Sequence, residues 1–277
     1  MSAAIELSLA SGFDDEGGPI APRLAMIAAA GFTHVHWTEH WATDVLYEDF
    51  YTEGARRALA AAGLRLLDVH NGEVEGARPS SADEAARRHG ARLLANRIRF
   101  AAVLGGQAVV VHPAPFDLTA PDAAARWAAL ARSLAEVAPV CRETGVRVAL
   151  ENLPGPAPAE YFRTVEALPP EVAGYCFDSG HANLKGDPDL PAKMGARLLI
   201  VHLHDNRGEK DDHAIPGTGT IDWARVLRGL AAAGYSRPLN FEINMKSQSR
   251  PAPEFLAELF RAGGGLAARR GALSQNS

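Results

Sequence analysis

The chain has 277 residues, 47% hydrophobic and 22% charged, with a formal net charge of −5. That length supports a sizeable buried core, and the acidic balance lacks the basic footprint of a general nucleic-acid binder. No apolar stretch approaches the roughly 20 residues needed to span a bilayer, and residues 1–6 lack the basic and long apolar segments of a secretory leader, so a cytoplasmic location is expected.

Strand-like and helix-like segments then alternate from end to end. Residues 5–9 form a short apolar run, and the alanine-rich segment 22–30 reads as a helix stopped by Gly31. Residues 33–38 are the second strand candidate, 47–62 a helix ending at Gly63, and 64–69 the third strand. A helix over 81–104 is predicted to start on Ser81, because Glu84 completes a capping-box pattern with it. The fourth strand is 107–111. The helix 121–144 carries Pro121 in its first turn and stops at Gly145. A fifth strand at 146–150, a short helix at 160–168 and a sixth strand at 173–177 follow. Next come a helical turn at 190–194 and a seventh strand at 198–203. A helix over 223–233 has Asp222 as its N-cap, and the eighth strand at 238–241 precedes a last helix over 254–267.

Strands that are apolar on both faces and alternate with helices predict a parallel sheet covered by helices. Eight such units in 277 residues fit a single (β/α)8 TIM barrel, whose active site lies at the C-terminal ends of the strands. A doubly wound open sheet is the alternative, but Ser8 to Gly12 do not form a glycine-rich phosphate turn. The barrel is expected over residues 1–267, with fraying from Gly263 onward and a flexible tail over 268–277. The two cysteines, Cys141 and Cys176, form no Cys-x-x-Cys. They read as small buried apolar residues rather than as a disulfide or a thiolate zinc site.

Six apolar runs end in a residue type that binds metals. His70, His112, Glu151, Asp178, His202 and Glu242 close the third to the eighth strand candidates. His181 follows Asp178 closely, and Asp211 and His213 lie in the long loop after the seventh strand. Of ten histidines, six (His70, His112, His181, His202, His204, His213) fall on this one rim. Any one of them could be a structural histidine, but their convergence points to a metal centre. Carboxylates and imidazoles suit Mn²⁺, Co²⁺, Mg²⁺ or Zn²⁺, and nothing in the sequence calls for a nucleotide or organic cofactor. Glu151, Asp178, His202 and Glu242 would form a shell of three carboxylates and one imidazole, which repels itself without a cation. His202 and His204 are two apart and share a strand face. The His-x-x-Asp spacing to Asp205 favours His202 as the ligand and leaves His204 to contact substrate or to support the ligands. Trp37, Trp41 and Phe116 could wall a sugar pocket or belong to the core. Arg207, Lys210, Lys246 and Arg250 could anchor a phosphate or acid, or be solvated loop charges.

Glu151-Asn152-Leu153-Pro154-Gly155, Phe177-Asp178-Ser179-Gly180-His181, His202-Leu203-His204-Asp205 and the stretch from Asp211 to Trp223 together resemble the xylose isomerase-like TIM barrel superfamily. These are sugar phosphate isomerases and epimerases related to endonuclease IV (AP endonuclease family 2). The resemblance covers nearly the whole chain and is specific for the superfamily, not for a substrate. It implies that Glu151, Asp178, His202 and Glu242 are the single-metal ligands of a ketose 3-epimerase type of site, with His181 touching substrate and Arg207 near a substrate-binding arginine. One departure stands out: those epimerases carry a further glutamate where this chain has Ala157, with Glu160 the nearest substitute. The same resemblance matches His70, His112, Glu151, Asp178, His181, His202, Asp211, His213 and Glu242 to the trinuclear zinc ligands of endonuclease IV. It therefore allows additional metals beside His70 and His112, or beside His181, Asp211 and His213.

The resulting expectation is a divalent-metal-dependent isomerase or epimerase of a small sugar or sugar phosphate. Glu151 and Glu242 would move the proton through an enediolate, and His70, His112, His181, His204, Arg207 and Trp37 would contact substrate. The alternatives are a zinc phosphodiesterase at abasic DNA, a dehydratase or lyase on a sugar acid or inositol derivative, and a non-catalytic carbohydrate-binding barrel. The acidic balance and few basic loops argue against the nuclease. The expected partner is a small carbohydrate, with no nucleic acid and no membrane. The resemblance also implies a homo-oligomer.

Overall fold

The structure is a computed structural model, described over residues 5–14, 18–115, 117–245 and 250–274. Its strands are β1 (Leu7–Ala10), β2 (His34–Trp37), β3 (Arg65–His70), β4 (Ala108–Val111), β5 (Arg147–Glu151), β6 (Ala173–Asp178), β7 (Leu198–His202) and β8 (Leu239–Phe241). All pair in parallel, in the order β7-β6-β5-β4-β3-β2-β1-β8. An isolated parallel bridge between Leu203 and Phe241, with Leu203 N–H donating to Asn240 O at 2.8 Å, brings β8 back against the end of β7. The sheet is a nearly closed eight-stranded barrel, as the alternating units predict, and not an open doubly wound sheet.

The helices are α1 (Ile20–Ala29), α2 (Asp49–Ala62), α3 (Glu84–Val103), α4 (Ala123–Thr144), α5 (Ala159–Glu166), α6 (Ser179–Asn183), α7 (Leu190–Met194), α8 (Trp223–Ala232) and α9 (Ala252–Ser274). Side chains alternate across each strand, so the sheet buries two apolar layers. The larger lies between strands and helices and includes Leu9, Val35, Trp37, Phe100 and Phe177. The smaller fills the barrel with Leu67, Ala108, Val110, Ala149, Cys176, Leu199 and Ile200. Both cysteines are free and buried. No helix among the described residues is long and apolar enough to cross a membrane.

Several boundaries differ from the sequence reading. The N-cap of α3 is Asp83, whose carboxylate accepts from Ala86 N–H at 2.8 Å, not Ser81. Ser81 still belongs to the preceding turn, where its N–H donates to Arg78 O. A charged cap also favours the positive end of the helix. By contrast, Asp222 caps α8 as expected, accepting from Arg225 N–H at 3.0 Å. The last helix does not fray at Gly263. A Cβ there would come within 2.7 Å of the Phe241 ring and 3.0 Å of Leu7, so this glycine lets α9 lie directly on the barrel. The predicted tail is therefore helical through Ser274, and 275–277 fall outside the described residues.

Candidate metal centre

Glu151 and Asp178 are the last residues of adjacent strands, and Asn152 ties their ends together. Its side-chain amide donates to Asp178 O at 3.0 Å while its Oδ1 accepts from Asp178 N–H at 2.8 Å. His202 ends β7 and Glu242 follows β8 directly. Nδ1 of His202 lies 3.1 Å from Glu151 Oε2 and 2.8 Å from Glu242 Oε2. One ligand atom each from Glu151, Asp178, His202 and Glu242 all fall within 4.8 Å of one another. The four residues singled out in the sequence thus meet at one point.

Two observations test whether this group suits a metal ion. Glu151 Oε2 and Nδ1 of His202, the two atoms that face the centre, are buried without a hydrogen-bond partner. Such atoms cost about 1–3 kcal/mol each when nothing satisfies them. The carboxylates also crowd one another. Burial alone would push the Glu151 carboxyl up, but His202 and His112 outweigh it and hold it well below the usual range. Glu242 is lowered against burial by His202 in the same way. Burial would lower His112 and His181, yet the carboxylates of Glu151 and Glu73 raise His112 to about 10, and Asp178, Asp211 and Glu151 raise His181 to about 12. In the metal-free chain, protonated histidines supply the positive charge these carboxylates demand. A hard divalent cation held by oxygen and imidazole would supply it instead.

The remaining rim residues gather around this point. Glu151 Oε2 is 3.9 Å from His70 Nε2 and 3.6 Å from His112 Nε2, and these three residues form a second group that could hold an ion. Nδ1–H of His181 donates to Asn152 O at 2.8 Å, and its Nε2 lies 3.3 Å from Asp211 Oδ2. Nδ1–H of His213 donates to Glu242 O at 2.7 Å, and its Nε2 meets Asp211 Oδ2 at 3.0 Å. A further group that could hold an ion, apart from those sharing His202, is His204, Asp211 and His213, so His204 takes the place expected for His181. A cavity of about 270 Å³ opens above the centre, walled by Trp41, His70, His112, His181, Asp211 and His213, with Glu151 and Glu242 at its base. Among the described residues that line it there is no lysine or arginine.

Three expected substrate contacts lie elsewhere. Trp37 is fully buried between the sheet and the helices, against Phe100 and Tyr51. Side chains alternate along β2, so His36 turns into the barrel and Trp37 out of it. Trp41, in the loop beyond β2, is the rim aromatic, 6.1 Å from the His70 ring. His204 is fully buried behind Asp178, with Nε2 3.0 Å from Asp178 Oδ2, and so supports a ligand rather than facing the cavity. Its ring fills the space over Gly180, where a Cβ would sit 1.9 Å from His204 Cε1. Arg207 lines a separate outer groove with Lys210 and Arg250. There Lys210 pairs with Asp212 at 3.2 Å and Arg250 with Glu258. Glu160 bonds to Arg163 at 3.0 Å and does not line the cavity, so it does not replace the glutamate missing at Ala157. Phe116 and Lys246 lie outside the described residues.

Asp205 organises the long loop after β7 and does not line the cavity. Its buried carboxylate accepts from the N–H groups of Asn206 (3.0 Å), Gly217 (2.8 Å) and Ile221 (3.2 Å) and from the Trp223 indole (2.9 Å). A Cβ at Gly219 would sit 2.3 Å from Asp205 Oδ1, so only glycine fits there. Asp205→Ala strands several buried donors and should destabilise the protein by about 3 kcal/mol or more. A urea midpoint equal to wild type would contradict this anchoring role.

The Asp211–His213 pair carries a pH signature. Asp211 is lowered against burial by His181 and His213, and His213 is raised against burial to about 10 by Asp211 and Glu242. The lowered carboxylate adds stability above its unfolded value of 3.8, lost as the pH falls through its folded value. The raised imidazole adds stability below 6.5, lost as the pH climbs through about 10. In metal-free protein the urea midpoints of wild type and Asp211→Asn should therefore differ most between about pH 4 and 6.5 and draw closer toward pH 10, where His213 loses its proton while His181 keeps its own. Both side chains are about 30% exposed, so the gap is modest. A gap that widens above pH 8 would contradict the pairing.

A parallel barrel whose strand ends converge carboxylates and imidazoles on one mouth defines a class of (β/α)8 proteins with a centre suited to metal on the C-terminal face. Residues 24–260 match the family described as xylose isomerase-like TIM barrel, and the chain belongs to that family. It is 35% identical over 259 residues to protein y4fM of Sinorhizobium fredii, covering 83% of this chain and 82% of that one. Among solved structures it is similar to L-ribulose 3-epimerase, with a TM-score of 0.78 at 22% identity over 99% of this chain and 98% of that one. It is also similar to a xylose isomerase domain protein from Alicyclobacillus acidocaldarius subsp. acidocaldarius, with a TM-score of 0.77 at 23% identity over 97% of this chain and 100% of that one. At these identities the solved structures establish the fold.

Proposed function

We propose that the protein is a divalent-metal-dependent isomerase or epimerase of a small, uncharged carbohydrate. The observation that carries this reading is the meeting of Glu151, Asp178, His202 and Glu242 at the base of a cavity sized for one small molecule. A bound divalent ion would supply Lewis acidity toward the sugar's carbonyl and hydroxyl oxygens. The protein's own groups would do the rest. Glu151 and Glu242 come from strands on different sides of His202, and both are held ionised. One takes a proton from the carbon between those oxygens, and the other returns it, or one does both. His181, braced through Nδ1–H on Asn152 O, presents Nε2 to a substrate hydroxyl. Trp41 provides an apolar wall for a sugar ring.

Two features refine the substrate. The lining described here lacks the lysine or arginine that a phosphate or carboxylate would call for, which favours a free sugar. The similarity to L-ribulose 3-epimerase adds a ketose to the candidates. The groups His70–His112–Glu151 and His204–Asp211–His213, which could also hold ions, keep the zinc phosphodiesterase as a second reading, but a lining without lysine or arginine among the described residues is ill suited to a DNA backbone. Deuterium wash-in from D2O, followed by NMR with Mn²⁺ present over a panel of ketoses and aldoses, tests the proposal. Wash-in is expected with a free sugar and little with its phosphate. No wash-in with any sugar, together with incision of an abasic duplex, would replace this reading by the nuclease one.

A further inference from the structure

Beneath the cavity base, the barrel interior holds polar groups that the proposed reaction does not use. His36 on β2 and Asp68 on β3 are fully buried, and His36 Nδ1 lies 2.8 Å from Asp68 Oδ2. The same oxygen is 3.5 Å from Nε2 of His202, which makes no other hydrogen bond among the described residues. The His36 and His202 rings are 4.4 Å apart. Asp68 therefore stands behind His202, while the opposite nitrogen, Nδ1, faces Glu151 and Glu242.

Two strand irregularities put these groups there. Between β2 and β3 the pairing steps from Val35↔Leu66 to His36↔Asp68, passing over Leu67. Between β6 and β7 it steps from Tyr175↔Leu198 to Cys176↔Ile200, passing over Leu199. An extra residue re-aims the side chains that follow it, and each irregularity lies just before one member of the Asp68–His202 contact. A buried carboxylate is costly to hold, so packing alone does not account for an aspartate among Leu66, Leu67 and Val69.

We propose that Asp68, braced by His36, is a positioning residue that keeps the proton of His202 on Nε2 and leaves Nδ1 as the face offered to a metal. The inference rests on the metal reading above. Imidazoles that ligate metals commonly give their other N–H to a carboxylate, and loss of that partner weakens metal binding by about 10–100-fold.

Calorimetric titration of Mn²⁺ into protein stripped with a chelator provides the first test. Asp68→Asn keeps the side-chain shape and should bind about 10–100-fold more weakly than wild type, with an unchanged circular dichroism spectrum. His36→Gln should show a smaller loss in the same direction. A second readout needs no metal. Nitrogen-edited NMR of stripped wild type should show a protected His202 Nε2–H, which shifts upfield and exchanges faster in Asp68→Asn. Wild-type Mn²⁺ affinity in Asp68→Asn, or a His202 protonated on Nδ1 alone in stripped wild type, would overturn the role. A wild type that binds no Mn²⁺ but shows the protected Nε2–H would defeat the metal reading and leave the positioning of His202 standing.

Discussion

Replacing Glu242 by glutamine should abolish exchange of the substrate carbon-bound hydrogen with solvent while leaving the fold intact. Glu242 is the carboxylate best placed for the transfer. It lines the cavity, its side chain is 20% exposed where Glu151 is 1% exposed, and its Oε2 lies 2.8 Å from His202 Nδ1. Burial would favour its neutral form, but His202 keeps it ionised and so ready to accept a proton. Glutamine preserves the shape and one oxygen toward the centre but has no basic site. Loss of a positioned base is worth about 10²–10⁴ in rate, so kcat should fall by about three orders of magnitude at saturating Mn²⁺. Saturating metal matters, because the same oxygen is a proposed ligand and the variant should also bind metal more weakly. Exchange at the wild-type rate would remove Glu242 from the proton transfer.

Removing the metal should cost both activity and stability. The cluster of Glu151, Asp178 and Glu242 is balanced, without a cation, by raised histidines such as His112 and His181. A metal present at about 100 times its dissociation constant stabilises the fold by about 2.7 kcal/mol. For a chain of this size that raises Tm by about 5–10 °C. The sign of the pH dependence follows from competition. An ion must displace protons from the imidazoles, so the thermal shift on adding Mn²⁺ should be larger at pH 8 than at pH 6. A Tm unaffected by chelator or by added Mn²⁺ at both pH values would contradict a resident ion.

The alternating units were enough to read the barrel from sequence, and the six strand-ending residues lie together at its mouth. They succeed because a parallel strand buried on both faces must emerge at a polar end, and there the residue type is free to serve chemistry. What stayed hidden depends on which way side chains point. Trp37 and His36 are neighbours, and without the register nothing says which of them enters the barrel. Asp68 lies inside an apolar run, where the extra residue Leu67 turns it inward, and such bulges leave no composition signal. The alternation of His34, His36 and Asp68 with apolar neighbours was the one available hint. Arg207 was placed by resemblance, yet the loop pinned by Asp205 carries it to the outer groove. The end of α9 was misread because three consecutive glycines look like fraying, whereas Gly263 is the contact that seats the helix on Phe241 and Leu7.

The most direct measurement of the central claim is anomalous diffraction from crystals grown with Mn²⁺ after exhaustive chelation. The account predicts one strongly occupied ion ligated by Glu151, Asp178, His202 and Glu242, facing the cavity. Density only beside His70 and His112, or beside His204, Asp211 and His213, with none among the four, would contradict it.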